Sequence, residues 1–515
     1  MNNSETYLYS PKVSQDADYN VWMAYPGCEA FAMSSLGYLW LFKQLDEQED
    51  IIAGRVYSDS NKSDFDARNV DLIGFSFSFD TDFLELFKIL DNFNIPIKAK
   101  DRDSSHPLLY AGGPVVTANP EPYAEIIDFF ILGDGEDVNL QAVRVCKDNR
   151  DLTKAEILAK LAKIDGIYVP SVNHGIVKKA TKRLQEVIYT PILSEKAFFP
   201  NTFIIEVARG CANRCGFCIA SYLNLPFRFL PYEKIIEAID LGLEHTNKIA
   251  LLGAQLSAHP KFKEICNYVY QKIKSGQKIE MSVSSLRVDT ITPEILETLK
   301  AAGQKNCTLA IEAGSERLRK VINKNLTEEQ IFKAIDVAQN AGLKGFKFYG
   351  MLGLPTETQE DLDEMISLAK RIKQKYKGFD ISFGFSTFVP KPHSPFQWFG
   401  REDNKTLEKK ENFIKKEMHK IGVTATVSSA KWDYWQAVLS RGDKNLTDFL
   451  IDVYKKGGKL GAFKSAAKEL KIDTDYYALQ NYQLEKDLPW NFIEIPPKSE
   501  FLKQECRKLT GYNGV

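Results

Sequence analysis

The sequence predicts an α/β protein in three parts. These are an N-terminal doubly wound, Rossmann-like domain over 1–180, a partial (β/α)6 barrel of TIM type over 201–400, and a small, mainly helical domain over 401–515. Strand–turn–helix alternation through 21–180 predicts the first part. Six regular strand–helix units from residue 202 predict the second. Helical spacing at WDYWQAVLS and LTDFLIDVYKK, among lysines and aromatics, predicts the third. Residues 181–200 carry charge and then prolines (Pro191, Pro200), and read as a linker. A net charge of −1 provides no overall field toward nucleic acid or an anionic membrane. The N-terminus, MNNSETYLYSPKVSQDADYN, is too polar for a signal or transit peptide. No uncharged apolar run reaches the ~18–20 residues that span a bilayer. A cytoplasmic, soluble protein is expected.

In the first part, VWMAYP (21–26) is a short strand leading to a helix through SLGYLWLFKQL. DLIGFSFSF (71–79), rich in aromatic and branched residues, is a buried strand. DFLELFKILDNFN has helical spacing. PLLYAGG (107–113) is a strand entering a Gly-Gly-Pro turn, and EIIDFFILGDGED (125–137) a strand entering a Gly-Asp-Gly loop. LTKAEILAKLAKI is helical and GIYVPS extended. In the barrel, strands fall at 203–208, 248–253, 279–286, 307–314, 345–355 and 381–390. Thr292, Pro293 and Gly303 punctuate one intervening helix, and Thr327 with Gln330 form a capping box on another, closed by Gly342. Ligands belong at the carboxyl ends of such strands.

Eight cysteines in 515 residues do not make a disulfide framework. Cys28, Cys146, Cys266, Cys307 and Cys506 are scattered and read as small buried hydrophobes. Cys211, Cys215 and Cys218 instead crowd one loop directly after the first barrel strand, in ARGCANRCGFCI. Structural zinc takes four protein ligands, and a disulfide would leave one thiol over, so both stand as lesser alternatives. A [4Fe–4S] cube normally takes four cysteines. Three would leave one iron open, as catalytic metal sites require.

This spacing, with an aromatic (Phe217) before the last cysteine, resembles the radical S-adenosylmethionine (SAM) superfamily. The resemblance implies that Cys211, Cys215 and Cys218 hold a [4Fe–4S] cluster and that the open iron chelates SAM. It also implies reductive cleavage of SAM to a 5′-deoxyadenosyl radical. A reductant such as flavodoxin or ferredoxin is implied with it. Phe217 would lie beside the adenine. Gly253 and Gln255 end the second strand, where the family has its SAM-amino segment, though in a departure from the usual Gly-Gly-Glu. Ser285 and Arg287 end the third, Arg287 reaching the SAM carboxylate. On the fourth, Glu312 is matched to the ribose, and Ser315 or Arg317 to the carboxylate. Gly350, Gly353 and Pro355 resemble the adenine-contacting loop after the fifth.

Ala111–Pro114, Asn119–Pro122 and Gly133–Glu136 resemble the cobalamin (B12)-binding-type domain of one branch of this superfamily. The chain lacks that domain's Asp-x-His-x-x-Gly. His106, its one histidine before residue 150, sits in Ser-Ser-His-Pro-Leu. Cobalamin held without a protein imidazole, and a vestigial domain that now shapes the substrate site or a partner surface, both remain open. His393, in PKPHSPFQW after the sixth strand, is a candidate for proton transfer or, alternatively, a hydrogen-bonded structural residue. The functional reading is a radical SAM enzyme acting on an unknown substrate, with cobalamin-dependent methylation favoured if cobalamin binds. The alternatives are an RNA-modifying enzyme of methyl- or methylthiotransferase type and a non-enzymatic iron–sulfur protein. No membrane partner is expected, and no RNA-binding module is visible.

Overall fold

The computed structural model describes residues 5–60, 69–284 and 286–514. Its first sheet consists of β1 (Tyr19–Tyr25), β2 (Ile51–Tyr57), β3 (Leu72–Ser76), β4 (Leu108–Gly112) and β5 (Phe129–Ile131), all parallel, with β6 (Ile167–Tyr168) antiparallel at one edge. The spatial order is β2-β1-β3-β4-β5-β6. Such a doubly wound sheet opens a crevice beyond its carboxyl ends, where the strand order reverses between β1 and β3.

Both faces of the sheet are covered, and the period of two shows in β1. Val21 and Met23 join one core with α1 (Leu36–Asp46) and the helix Gly135–Asp148, while Trp22 and Ala24 join another with α2 (Phe83–Asn92). β2 was not foreseen. IIAGRVY carries Gly54 and Arg55 in mid-strand, which breaks the apolar signal. The glycine is needed there, because a Cβ at Gly54 would stand 2.9 Å from the Trp22 ring.

The barrel is an incomplete one, in two arcs. β7 (Phe203–Glu206), β8 (Lys248–Leu252) and β9 (Glu280–Val283) form one arc. β10 (Asn306–Glu312), β11 (Gly345–Leu352), β12 (Asp380–Thr387) and β13 (Thr424–Val427) form the other. All are parallel, and the described backbone joins the arcs by one bridge, Leu286 to Leu309. The expected capping box of the helix Glu328–Asn340 is present: Thr327 accepts the Gln330 N–H and the Gln330 side chain accepts the Thr327 N–H.

Contacts cross the expected boundaries at three places. The barrel sheet does not end near residue 400, since β13 pairs with β12 beyond it. TATV is too short and too polar to stand out by pattern. Nor is the C-terminal segment a self-contained unit. Trp435, Phe449, Phe463 and Trp490 share one core with α2 and β3 of the first sheet. Phe463 meets the Phe83 ring edge-on at 6.2 Å, and Tyr454 meets Phe87 at 5.6 Å. The apolar face of α2 is wider than its own sheet covers, and the C-terminal helices bury the remainder. The 181–200 stretch is likewise tied in, with Ile192–Ser194 pairing antiparallel to Glu5–Tyr7.

Candidate functional site

The cysteine loop leaves the carboxyl end of β7 and lies at the barrel mouth, opposite the glycine loops of the first sheet. Gly210 turns the chain with φ 82°, and a Cβ there would stand 2.5 Å from the Asn224 carbonyl. Cys211 and Cys215 are buried and Cys218 half-buried. Burial pushes the Cys215 thiol up to about 12. The nearby Lys324 and Arg287 cations oppose this, while Cys218 and Glu312 reinforce it. Burial also raises Cys218. The Cys211 thiol donates to Gln255 Oε1 at 3.3 Å, and Asn213 Nδ2 donates to the same oxygen and to the Cys211 sulfur. Gly216 is pinned from behind, since a Cβ there would stand 2.7 Å from the Phe396 ring. No group of three His, Cys, Asp or Glu among the described residues is drawn together tightly enough for a single metal ion. A four-iron cube holds its thiolates farther apart than one ion does.

Several other expected residues converge on this mouth. Gly253 N–H donates to Ser284 Oγ at 3.1 Å, and that hydroxyl donates back to the Gly253 carbonyl at 2.8 Å, tying the second and third strand ends together. Ser285 lies outside the described residues. Arg287 is mostly buried, donates to both Asp289 oxygens at 2.9 Å, and sits close enough to Cys215 and Cys211 to feel their charge. Glu312 occupies a β-bulge with φ 64°, a strained conformation of the kind stored at functional sites. Lys324 Nζ lies 3.2 Å from its Oε1. Gly350 has no room for a Cβ beside Phe385, and Gly353, with φ 73°, donates to Glu357 Oε1 at 2.9 Å. Pro355 is buried next to it, and Phe217 is half-buried against the shared core.

Three expected residues have other partners. Ser315 caps the helix Glu316–Val321 by accepting the Leu318 N–H at 3.0 Å, and its hydroxyl donates to Asp361. Arg317 pairs with the same Asp361 and with the Thr356 carbonyl. Both lie against the start of the helix Gln359–Lys375. His393 is buried, and its Nε2 lies 3.1 Å from the Ala118 carbonyl. Burial pushes it down to about 4, and the ring ties the barrel to the first sheet.

Sequence reasoning missed an ionic lattice across the crevice. Arg209, next to the cysteine loop, pairs with Glu206 (2.7 Å), Asp134 (2.9 Å) and Glu136 (2.5 Å); Arg228 pairs with Asp134 at 2.6 Å. Burial opposes ionisation of Asp134, yet the two arginines hold its carboxyl below the usual range. Arg209 immediately precedes the glycine of the cysteine motif, and that adjacency was the one available signal. Behind the lattice lies a cavity of about 370 Å³. Gly112, Gly113, Gly133 and Gly135 from the first sheet face Leu223 and Leu252 from the barrel across it. Among the described residues no histidine lines it. His106 precedes β4, at the opposite end of the sheet, and is bonded to Asp103.

Residues 37–170 match the family described as radical SAM proteins, N-terminal, and residues 205–369 match the radical SAM superfamily. The uncharacterized protein MJ0966 of Methanocaldococcus jannaschii is 31% identical over 439 residues, covering 84% of this chain and 90% of its own. The uncharacterized methyltransferase PH0819 of Pyrococcus horikoshii is 26% identical, over 53% of this chain and 59% of its own length. The threonylcarbamoyladenosine tRNA methylthiotransferase MtaB of Aquifex aeolicus is 24% identical, over 50% and 63%. The radical SAM methyltransferase TsrM of Kitasatospora setae, solved with cobalamin and a [4Fe–4S] cluster, superposes with a TM-score of 0.53 at 14% identity, covering 72% of each chain. That likeness is one of fold.

The chain belongs to the radical SAM superfamily. It is an enzyme of that class, whose members use a [4Fe–4S] cluster and SAM. The donor set fits such a cluster: three thiols on one loop, with the Arg287 and Lys324 cations beside them to offset its negative charge. Among the described residues no helix is long and apolar enough to cross a membrane.

Proposed function

We propose that Cys211, Cys215 and Cys218 ligate the cluster, and that SAM lies over it among Phe217, Gly253, Gln255, Arg287, Glu312 and the Gly350–Pro355 loop. The substrate meets them from the crevice of the first sheet. The cluster, when bound and reduced, supplies the electron that cleaves the sulfonium of SAM. Every other task falls to this chain. Gln255 and Asn213 orient the Cys211 sulfur, the Arg287 guanidinium offers donors for a carboxylate, and Glu312 offers acceptors for hydroxyls. Leu36, Trp40, Leu223 and Leu252 supply the apolar part of the crevice wall, beside the ionic lattice.

The reaction we favour is methylation or a related modification of a small molecule held in the crevice. The observation that carries this reading is the cavity between the two sets of strand ends, whose ~370 Å³ suits a drug-sized ligand. A corrinoid methyl carrier would be held in the same crevice by the glycine loops at Gly112–Gly113 and Gly133–Gly135 and would supply the methyl group. Anaerobic reconstitution tests the proposal. Dithionite and SAM should release 5′-deoxyadenosine, and copurified corrinoid absorbance would identify the carrier. A protein that takes up iron yet leaves SAM intact refutes the assignment. RNA modification is the second reading, favoured by the match to tRNA methylthiotransferases over half of this chain. Nuclease-sensitive copurification of RNA would support it. Free thiols at such a site need a reducing compartment, so we place the enzyme in the cytoplasm with flavodoxin or ferredoxin as electron donor.

A further inference from the structure

Three residues outside every recognised motif run behind the cysteine loop: Ile322, Asn323 and Lys324, directly after the helix Glu316–Val321. The Ile322 carbonyl accepts the Gly216 N–H at 3.0 Å. Asn323 Nδ2 donates to the carbonyls of Arg214 at 2.9 Å and Asn213 at 3.3 Å. Lys324 Nζ reaches Glu312 at 3.2 Å, with the two side chains only 9% and 12% exposed. The Lys324 carbonyl accepts from the Arg287 guanidinium at 3.0 Å. One tripeptide therefore touches the cysteine loop, the strained carboxylate of the fourth strand and the guanidinium beyond the third. Asn323 and Asn325 take φ of 55° and 48°, a left-handed turn that asparagine tolerates. Through it the backbone of the segment faces the loop, while the Lys324 side chain reaches Glu312.

We propose that Asn323 and Lys324 are positioning residues, which register the cysteine loop against Glu312 and Arg287, and that the Lys324 ammonium eases reduction of the cluster. The inference rests on the reading that the three cysteines hold a [4Fe–4S] cluster. Reduction adds one electron, taken from dithionite in vitro, and makes the cluster more negative. A buried cation beside the thiols favours that state. Lys324 also neutralises a largely buried carboxylate. Without it Glu312 is left unpaired on a strained backbone, and its geometry relaxes.

The test compares reconstituted wild type with Lys324→Met, Lys324→Arg and Asn323→Ala. Three quantities are read: iron content, midpoint potential from a spectroscopically followed dithionite titration, and affinity of the oxidised protein for SAM. Lys324→Met should keep its iron but be about tenfold harder to reduce, which is about 59 mV for a one-electron couple. It should also bind SAM about tenfold more weakly. Lys324→Arg should recover most of both. Asn323→Ala should lose iron to a chelator about tenfold faster than wild type. Should Lys324→Met fold poorly, the double variant with Glu312→Gln removes the unpaired carboxylate and should keep a smaller shift in the same direction, because Lys324 weighs more on Cys215 than Glu312 does. Unchanged potential and SAM affinity in Lys324→Met overturn the inference while leaving the cluster assignment intact. A wild type that takes up no iron overturns both.

Discussion

Cys215 is held as a thiol by burial, which pushes it up to about 12, so ionisation at neutral pH requires a bound metal. Cys215→Ala should therefore abolish the roughly four irons expected per chain and all SAM cleavage, with the far-ultraviolet circular dichroism unchanged. His393 makes a second prediction. Its folded value, about 4, lies below the ~6.5 of a free imidazole, so folding favours the neutral form. This histidine adds no penalty above pH ~6.5. As pH falls from there to about 4 the unfolded chain gains a proton that the native one refuses, and stability drops by roughly 3 kcal/mol. Urea unfolding at pH 7 and pH 5 should show the slope in wild type and a weaker one in His393→Gln. At this scale the cysteines were legible because their chemistry depends on local spacing. The partners of Ser315 and Arg317 were not, because Asp361 lies more than forty residues along the chain.

Strands and loops were legible where one apolar run dominates, as in LIGFS or FFI. They were hidden where a close approach dictates the residue. Gly54 in β2 is set by Trp22, and no pattern within IIAGRVY reveals it. The same physics governs the cysteine loop. A methyl group at Gly216 would press into the Phe396 ring from 2.7 Å, at an overpacking cost of roughly 1–3 kcal/mol. Gly216→Ala should consequently lower iron occupancy several-fold, measured per folded chain. Gly216→Ala combined with Phe396→Leu should regain part of it. Equal iron content in all three proteins would show that the ring does not set the loop.

Across the whole molecule, the barrel and the first sheet meet through charge as much as through apolar surface. Arg209→Met would strand two carboxylates, Glu206 and Glu136, in a buried crevice and leave Asp134 to Arg228 alone, which should cost about 3–5 kcal/mol. Limited proteolysis near residues 181–200 should then proceed faster than in wild type, and unfolding should separate into two transitions. The doubly wound sheet and the barrel were both evident from the sequence. Their joining was not, because the residues involved come from distant segments and carry no period.

The partial barrel has a seam. Each of its seven strands leans on a neighbour through a run of ladder bonds, yet across Leu286 and Leu309 a lone backbone contact joins the two arcs. Cooperative opening should start where fewest bonds must break, so amide deuteration should enter along this line ahead of β11 and β12. Arg287 stands one residue past that line, and a cosubstrate drawn to it would stitch the two arcs shut, slowing the exchange of both.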